Sequence, residues 1–159
     1  MNIKIICVGS LKENYLQAAC AEYIKRLKKY CSISIIELNE AKLADNASPA
    51  QIQQAVSAES SMLLNALNSK DYVIALDVGG VQLSSNEFAQ VFSEQMNSGK
   101  SSFCLLIGGS NGFDDSVRKR ADMVLSFSKL TFPHQLFRVI VLEQVYRAMK
   151  ILNNERYHK

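Results

Sequence analysis

Phe103-Cys104-Leu105-Leu106-Ile107-Gly108-Gly109-Ser110-Asn111-Gly112 is an apolar run of strand length that stops on a glycine-rich turn. Tyr72-Val73-Ile74-Ala75-Leu76 likewise stops before Asp77-Val78-Gly79-Gly80. A third run, Met123-Val124-Leu125, leads into Ser126-Phe127-Ser128-Lys129-Leu130-Thr131-Phe132-Pro133-His134. Short continuous apolar runs of this kind read as strands buried on both faces of a parallel sheet. Glycine at such an end lets backbone turn sharply and approach a ligand, because it has no side chain and tolerates positive φ. Open α/β sheets bind ligands at the carboxyl ends of their strands. Three such ends close together in the chain therefore predict one shared pocket.

The rest of the chain supplies the alternation that such a sheet needs. Residues 3–8 and 32–38 read as two further strands. Between them, residues 13–29 carry Leu16, Ala19, Tyr23, Ile24 and Leu27 at helical spacing and end on Lys25, Arg26, Lys28 and Lys29. Residues 40–48 are polar and read as a loop. Ser48-Pro49-Ala50-Gln51 and Ser84-Ser85-Asn86-Glu87 are capping boxes, opening helices that run to about residues 67 and 97. A short helix spans 114–120, and a long one runs from Pro133 to residue 152. Strands alternating with helices predict an α/β domain with a mostly parallel sheet and helices on both faces. The last helix is apolar almost all round its axis, through Leu136, Phe137, Val139, Ile140, Val141, Leu142, Val145, Tyr146, Met149 and Leu152. Such a helix is buried on more than one side. A second subunit is the expected cover, with Val139, Leu142 and Tyr146 as its contacts.

Composition narrows the classes. The 159 residues, 48% hydrophobic and 21% charged, read as one domain over residues 1–159 with a substantial core. The net charge of +3 permits a nucleic-acid partner without demanding one. None of Cys7, Cys20, Cys31 and Cys104 forms a C-x-x-C pair, and the histidines are His134 and His158, so no metal is expected. The cysteines read as reduced, and the chain as cytoplasmic. No run reaches transmembrane length, so no membrane association is expected.

Candidate chemistry collects at three places. The first is Gly108-Gly109-Ser110-Asn111-Gly112, between strand and helix. It matches neither phosphate-loop fingerprint, so it is either a ligand turn or a tight connection with no ligand. The second is His134 with Lys129 and Thr131 at the mouth of the last helix, where N–H groups attract anions and carbonyls. A partly exposed histidine bonded to backbone is the plainer reading. The third is the tail Tyr157-His158-Lys159, whose side chains suit a base face, a proton and a phosphate. Asp77 reads as a turn carboxylate. The basic clusters at 25–29 and 118–120, and along Arg147, Lys150, Arg156, His158 and Lys159, are either solvated faces or an RNA footprint.

Residues 103–112 and 125–135, together with Arg138-Val139-Ile140-Val141-Leu142-Glu143-Gln144-Val145-Tyr146-Arg147 and the terminal Tyr157-His158-Lys159, resemble the ribosomal RNA large subunit methyltransferase H family. That family belongs to the SPOUT class of methyltransferases, and the likeness covers the whole chain. The resemblance implies a C-terminal trefoil knot, a homodimer and S-adenosyl-L-methionine as cofactor. It also implies methylation of N3 of a pseudouridine in 23S rRNA of the assembled ribosome. Carried over by position, the cofactor residues are Leu76, Gly108, Phe127, Ser128, Lys129, Leu130, Thr131 and Phe132. His134, Tyr157 and His158 are the candidates for substrate positioning or proton removal. A nucleotide-binding α/β protein without methyl transfer, and a non-catalytic dimeric RNA-binding module, are the other classes the residues allow.

Overall fold

Five parallel strands in the order β2-β1-β4-β3-β5 form the centre of the molecule, a computed structural model that describes residues 1–157. The strands are β1 (Asn2–Val8), β2 (Ser32–Leu38), β3 (Tyr72–Gln82), β4 (Ser102–Ile107) and β5 (Met123–Ser126). The helices are α1 (Asn14–Leu27), α2 (Pro49–Asn65), α3 (Ser85–Asn97), α4 (Asp115–Arg120) and α5 (His134–Leu152). Side chains alternate across a strand, so Ile3, Ile5 and Cys7 meet one apolar layer while Ile6 and Val8 meet the other. The first layer is built with α1, α3 and α5, and the second with α2 and α4. The parallel sheet and the helices on both faces agree with the sequence reading.

Local signals behave as their chemistry predicts. Both capping boxes form: the Ser48 and Ser84 hydroxyls accept from the N–H of Gln51 and Glu87, whose side chains accept from the two serine N–H groups. The four cysteines are free and buried. Burial pushes the Cys7 thiol up to about 11 and that of Cys104, in the middle of β4, up to about 12.

Two expectations change. The run expected to end at Leu76 continues as β3 to Gln82, so Gly79-Gly80 is not a terminal turn. Leu125 of β5 stands opposite both Leu76 and Val81, which leaves residues 77–80 extruded as a bulge. Gly80 permits this, because a Cβ there would lie 2.7 Å from the backbone of Val124 and Leu125. The second change concerns α5. It packs between α1 and α3 and against the sheet, and Leu142 is fully buried there. Leu142 is a core residue rather than an interface contact, while Leu136, on the same helix, stays exposed. Val139 and Tyr146 are partly buried beside it.

Candidate active-site cleft

The carboxyl ends of β3, β4 and β5 open into one cleft of about 490 Å³. Leu76 ends the regular part of β3, Gly108 follows β4, and Ser126 ends β5. The N-terminus of α5 closes one side with His134 and Phe137. Phe132 stacks on Phe137 with centroids 5.8 Å apart, and Phe127 meets Phe137 edge-on at 5.5 Å. These rings give the cleft an aromatic wall.

The two loops around the cleft are held by short polar contacts. Gly112 donates its N–H to the carbonyl of Gly109 at 3.0 Å, closing the turn after β4. A Cβ on Gly108 would lie 2.9 Å from the Gly112 carbonyl oxygen, so glycine is required there by the turn itself, before any ligand. Ser110 donates to Glu40 at 3.2 Å, and the Asp114 N–H donates to Ser60 at 3.0 Å, which fixes the turn to the β2–α2 connection and to α2. In the second loop Ser126 donates to the Ser128 carbonyl at 2.9 Å, and the Leu130 N–H donates to the Ser128 hydroxyl at 2.9 Å.

Charge enters at the rim. Asp77 accepts from the Gly79 N–H at 2.8 Å, the turn-carboxylate role. It also accepts from Arg118 Nη2 at 2.7 Å and Nε at 3.1 Å. The hydrogen bond it donates to Asp77 holds the Arg118 guanidinium further toward its charged form. At the base of α5, Arg138 is almost wholly buried. It donates to the carbonyls of Val8 and Gly9 at 3.0 and 2.8 Å and to Glu37 at 2.6 Å. Gln135 accepts from the Lys12 N–H at 2.9 Å. Both contacts tie the first turns of α5, and so His134 and Phe137, to the β1–α1 connection.

A family model described as predicted SPOUT methyltransferase matches residues 1–158. The chain belongs to the SPOUT methyltransferase family. It is 52% identical to a ribosomal RNA large subunit methyltransferase H of Clostridium novyi, over all of both chains. Proteins of the same name from Clostridium kluyveri and Streptococcus equi subsp. zooepidemicus are 48% and 46% identical, again over all of both chains.

In this SPOUT methyltransferase the cleft is lined by Leu76, Gly108, Phe127, Ser128, Leu130, Thr131, Phe132 and His134. Lys129 is absent from the lining although its neighbours form it. Tyr157 lies away from the cleft, on the α1–α5 flank. Its ring meets Tyr146 at 4.9 Å, the Arg147 guanidinium sits 4.8 Å above it, and its hydroxyl donates to Glu143 at 3.4 Å. Burial pushes its phenol up to about 12. Tyr157 is therefore packed against α5. His158 lies outside the described residues. The sequence reading assigns no cleft role to Arg118, Val78 and Phe137, which also line it. The i, i+3 step from His134 to Phe137 is the signal that would have found Phe137. Among the described residues no group of His, Cys, Asp and Glu could hold a metal, and no helix is long and apolar enough to cross a membrane.

Proposed function

We propose that the chain is an S-adenosylmethionine-dependent methyltransferase that modifies N3 of a pseudouridine in 23S rRNA of the assembled ribosome, working in the cytoplasm as a homodimer. The observation that carries this reading is the gathering of Leu76, Gly108 and the 127–132 loop around one cleft by three strand ends. The relatives' shared name, ribosomal RNA large subunit methyltransferase H, supplies the substrate class. The proposed unit is one SPOUT-like domain over residues 1–159, with β5, the 127–132 loop and α5 as its trefoil knot.

The residues present fit the cofactor. Leu76, Phe127 and Leu130 offer apolar walls for adenine, while Ser128, Thr131 and Asn111 offer polar groups for the remainder. Lys129 stays in the proposed set as part of the continuous loop. When bound, S-adenosylmethionine supplies a methyl group already activated by its sulfonium charge. The chain must then place N3 in line and give its proton a destination. His134 presents an imidazole at the cleft, and imidazole exchanges protons near neutral pH. Tyr157 and His158 are proposed to position the base. In one chain Tyr157 packs against Tyr146, nine residues along α5 from Phe137, or about 14 Å at 1.5 Å per residue. Tyr157, held there, meets a cleft more readily on a second copy, which supports the homodimer.

Calorimetry with S-adenosylmethionine, followed by transfer of labelled methyl to intact ribosomes and to protein-free rRNA, tests the proposal. Binding, transfer to ribosomes alone and a product mapped to N3 of one pseudouridine are expected. Absence of cofactor binding would remove the enzyme reading. Equal rates on free rRNA would remove the requirement for the assembled particle.

A further inference from the structure

The basic clusters of the sequence meet different fates in the fold. On α4, Arg118 and Arg120 are tied back to the chain. Arg118 pairs with Asp77 and Asp115, and Arg120 with Asp122 and the carbonyls of Asn68 and Asp71. The clusters at 25–29 and 147–156 come together instead. Glu155 accepts from Lys29 at 3.0 Å, from Tyr30 at 2.9 Å and from Lys150. The Arg26 guanidinium lies 5.7 Å from the Tyr23 ring centre and 6.0 Å from that of Tyr146. The end of α1, the end of α5 and the residues after it thus form one surface.

The charge of that surface is out of proportion to the molecule. Residues 22–30 and 143–157 hold seven cations against three carboxylates, Glu22, Glu143 and Glu155. This excess of four exceeds the +3 of the whole chain, so the remainder is slightly acidic. Lys25, Arg26 and Lys150 stand in the last turns of α1 and α5, where the helix dipoles favour cations. The dipoles account neither for four cations crowded between 25 and 29 nor for their meeting with the 147–156 cluster. Lys25 stands three and four residues from Lys28 and Lys29, spacings at which like charges repel. Lys25 and Lys28 are exposed and make no ion pair among the described residues. A second copy of this surface is a poor cover, since one sign of charge facing itself repels. A polyanion is a good one, because its phosphates release counterions as the lysines replace them. Tyr157, the residue proposed to position the target base, lies in the same surface with the Arg147 guanidinium 4.8 Å from its ring centre.

We propose that the α1–α5 flank is a phosphate-binding surface for rRNA, with Lys25 and Lys28 on backbone phosphates beyond the target nucleotide. Such contacts hold and orient the RNA without reading its sequence. The inference rests on the proposed rRNA substrate and adds the place where that RNA lies. It also accounts for how a chain of modest net charge grips a polyanion: the charge is concentrated on one flank.

The paired variant Lys25→Gln with Lys28→Gln tests it. Lys70→Gln with Lys119→Gln is the control, changing the charge equally at exposed lysines before β3 and on α4. Equilibrium binding to intact ribosomes and to protein-free 23S rRNA is measured between about 50 and 200 mM salt. The first pair is expected to flatten the slope of log affinity against log salt by about 1.5–2 on both RNAs. Its thermal midpoint and its calorimetric affinity for S-adenosylmethionine should match wild type, and the control pair should keep the wild-type slope. An unchanged slope in the first pair, or an equal flattening in the control, would overturn the inference. Flattening on ribosomes alone would also overturn it, assigning the flank to a ribosomal protein. Wild-type protein that binds neither ribosomes nor rRNA would refute the rRNA reading itself, and this inference with it.

Discussion

At the cleft, apolar side chains stand exposed on a stiffened backbone; on the α1–α5 flank, aromatic and charged side chains are tied to one another and to Glu155 and Tyr157. The cleft spends its hydrogen bonds on loops: Ser128 on Leu130, Asp77 on Gly79, Gly109 on Gly112. The flank spends them on side chains. Tyr146 packs against Tyr23, Tyr30 and Tyr157, and Glu155 accepts from Lys29, Tyr30 and Lys150. Rigid loops with exposed contents suit a surface completed by a ligand. A cross-linked cluster suits an element that must stay put.

The sharpest way to break this contrast is at Gly80. In Gly80→Val the new side chain meets the backbone of Val124 and Leu125, which cannot swing aside as a flexible side chain can. Overpacking of this kind costs about 1–3 kcal/mol or more, and the bulge must shift with it. A lower thermal midpoint together with at least a tenfold loss of S-adenosylmethionine affinity is expected. Wild-type affinity in this variant would mean that the bulge plays no part in the cleft.

On the flank, Tyr157→Ala removes an edge-on contact with Tyr146 and the ring under Arg147. A loss of about 0.5–1.5 kcal/mol is expected from denaturant titration, with cofactor affinity unaltered, since the ring lies outside the cleft lining. Weakened cofactor binding would show that the two regions are coupled.

The smallest effect is one of pH. Hydrogen bonds from Lys150, Lys29 and Tyr30 lower the Glu155 carboxyl to about 2. A depressed carboxyl contributes its stabilisation fully above the ordinary carboxylate pKa of about 4.3 and loses it as pH falls toward the folded value. Near-ultraviolet circular dichroism of the tyrosine cluster should therefore loosen between about pH 4.3 and 2. Glu155→Gln should show no such step. An identical step in that variant would assign it to another carboxyl.

Much of this was legible in the order of residues. The alternation of strands and helices, the capping boxes at Ser48 and Ser84, and the meeting of three strand ends follow from local chemistry. Gly79-Gly80 misled because a turn and a bulge need the same residue. What separates them is the approach of β5, a strand some forty positions away that pairs only in the folded state. Leu142 misled because periodicity shows that a helix is apolar all round, not whether α1, α3 or another molecule covers each side. Nothing local in the sequence indicates that Tyr146 and Arg147 lie beneath Tyr157. Of the cofactor positions, those implied by the family resemblance reached the cleft apart from Lys129, whereas Phe137 and Val78 emerged only once the chain had folded.

The four buried thiols give the molecule a set of internal clocks. Cys7 and Cys104 lie in neighbouring strands at the centre of the sheet, while Cys20 sits on α1 and Cys31 just before β2. A thiol reacts as its thiolate, and burial withholds both the thiolate and the reagent. Modification of each by an aqueous disulfide reagent can then proceed no faster than the segment around it opens. The α1 side reports partial opening and β4 reports loss of the whole sheet. With no residue changed, the order in which the thiols are captured would chart how this fold comes apart.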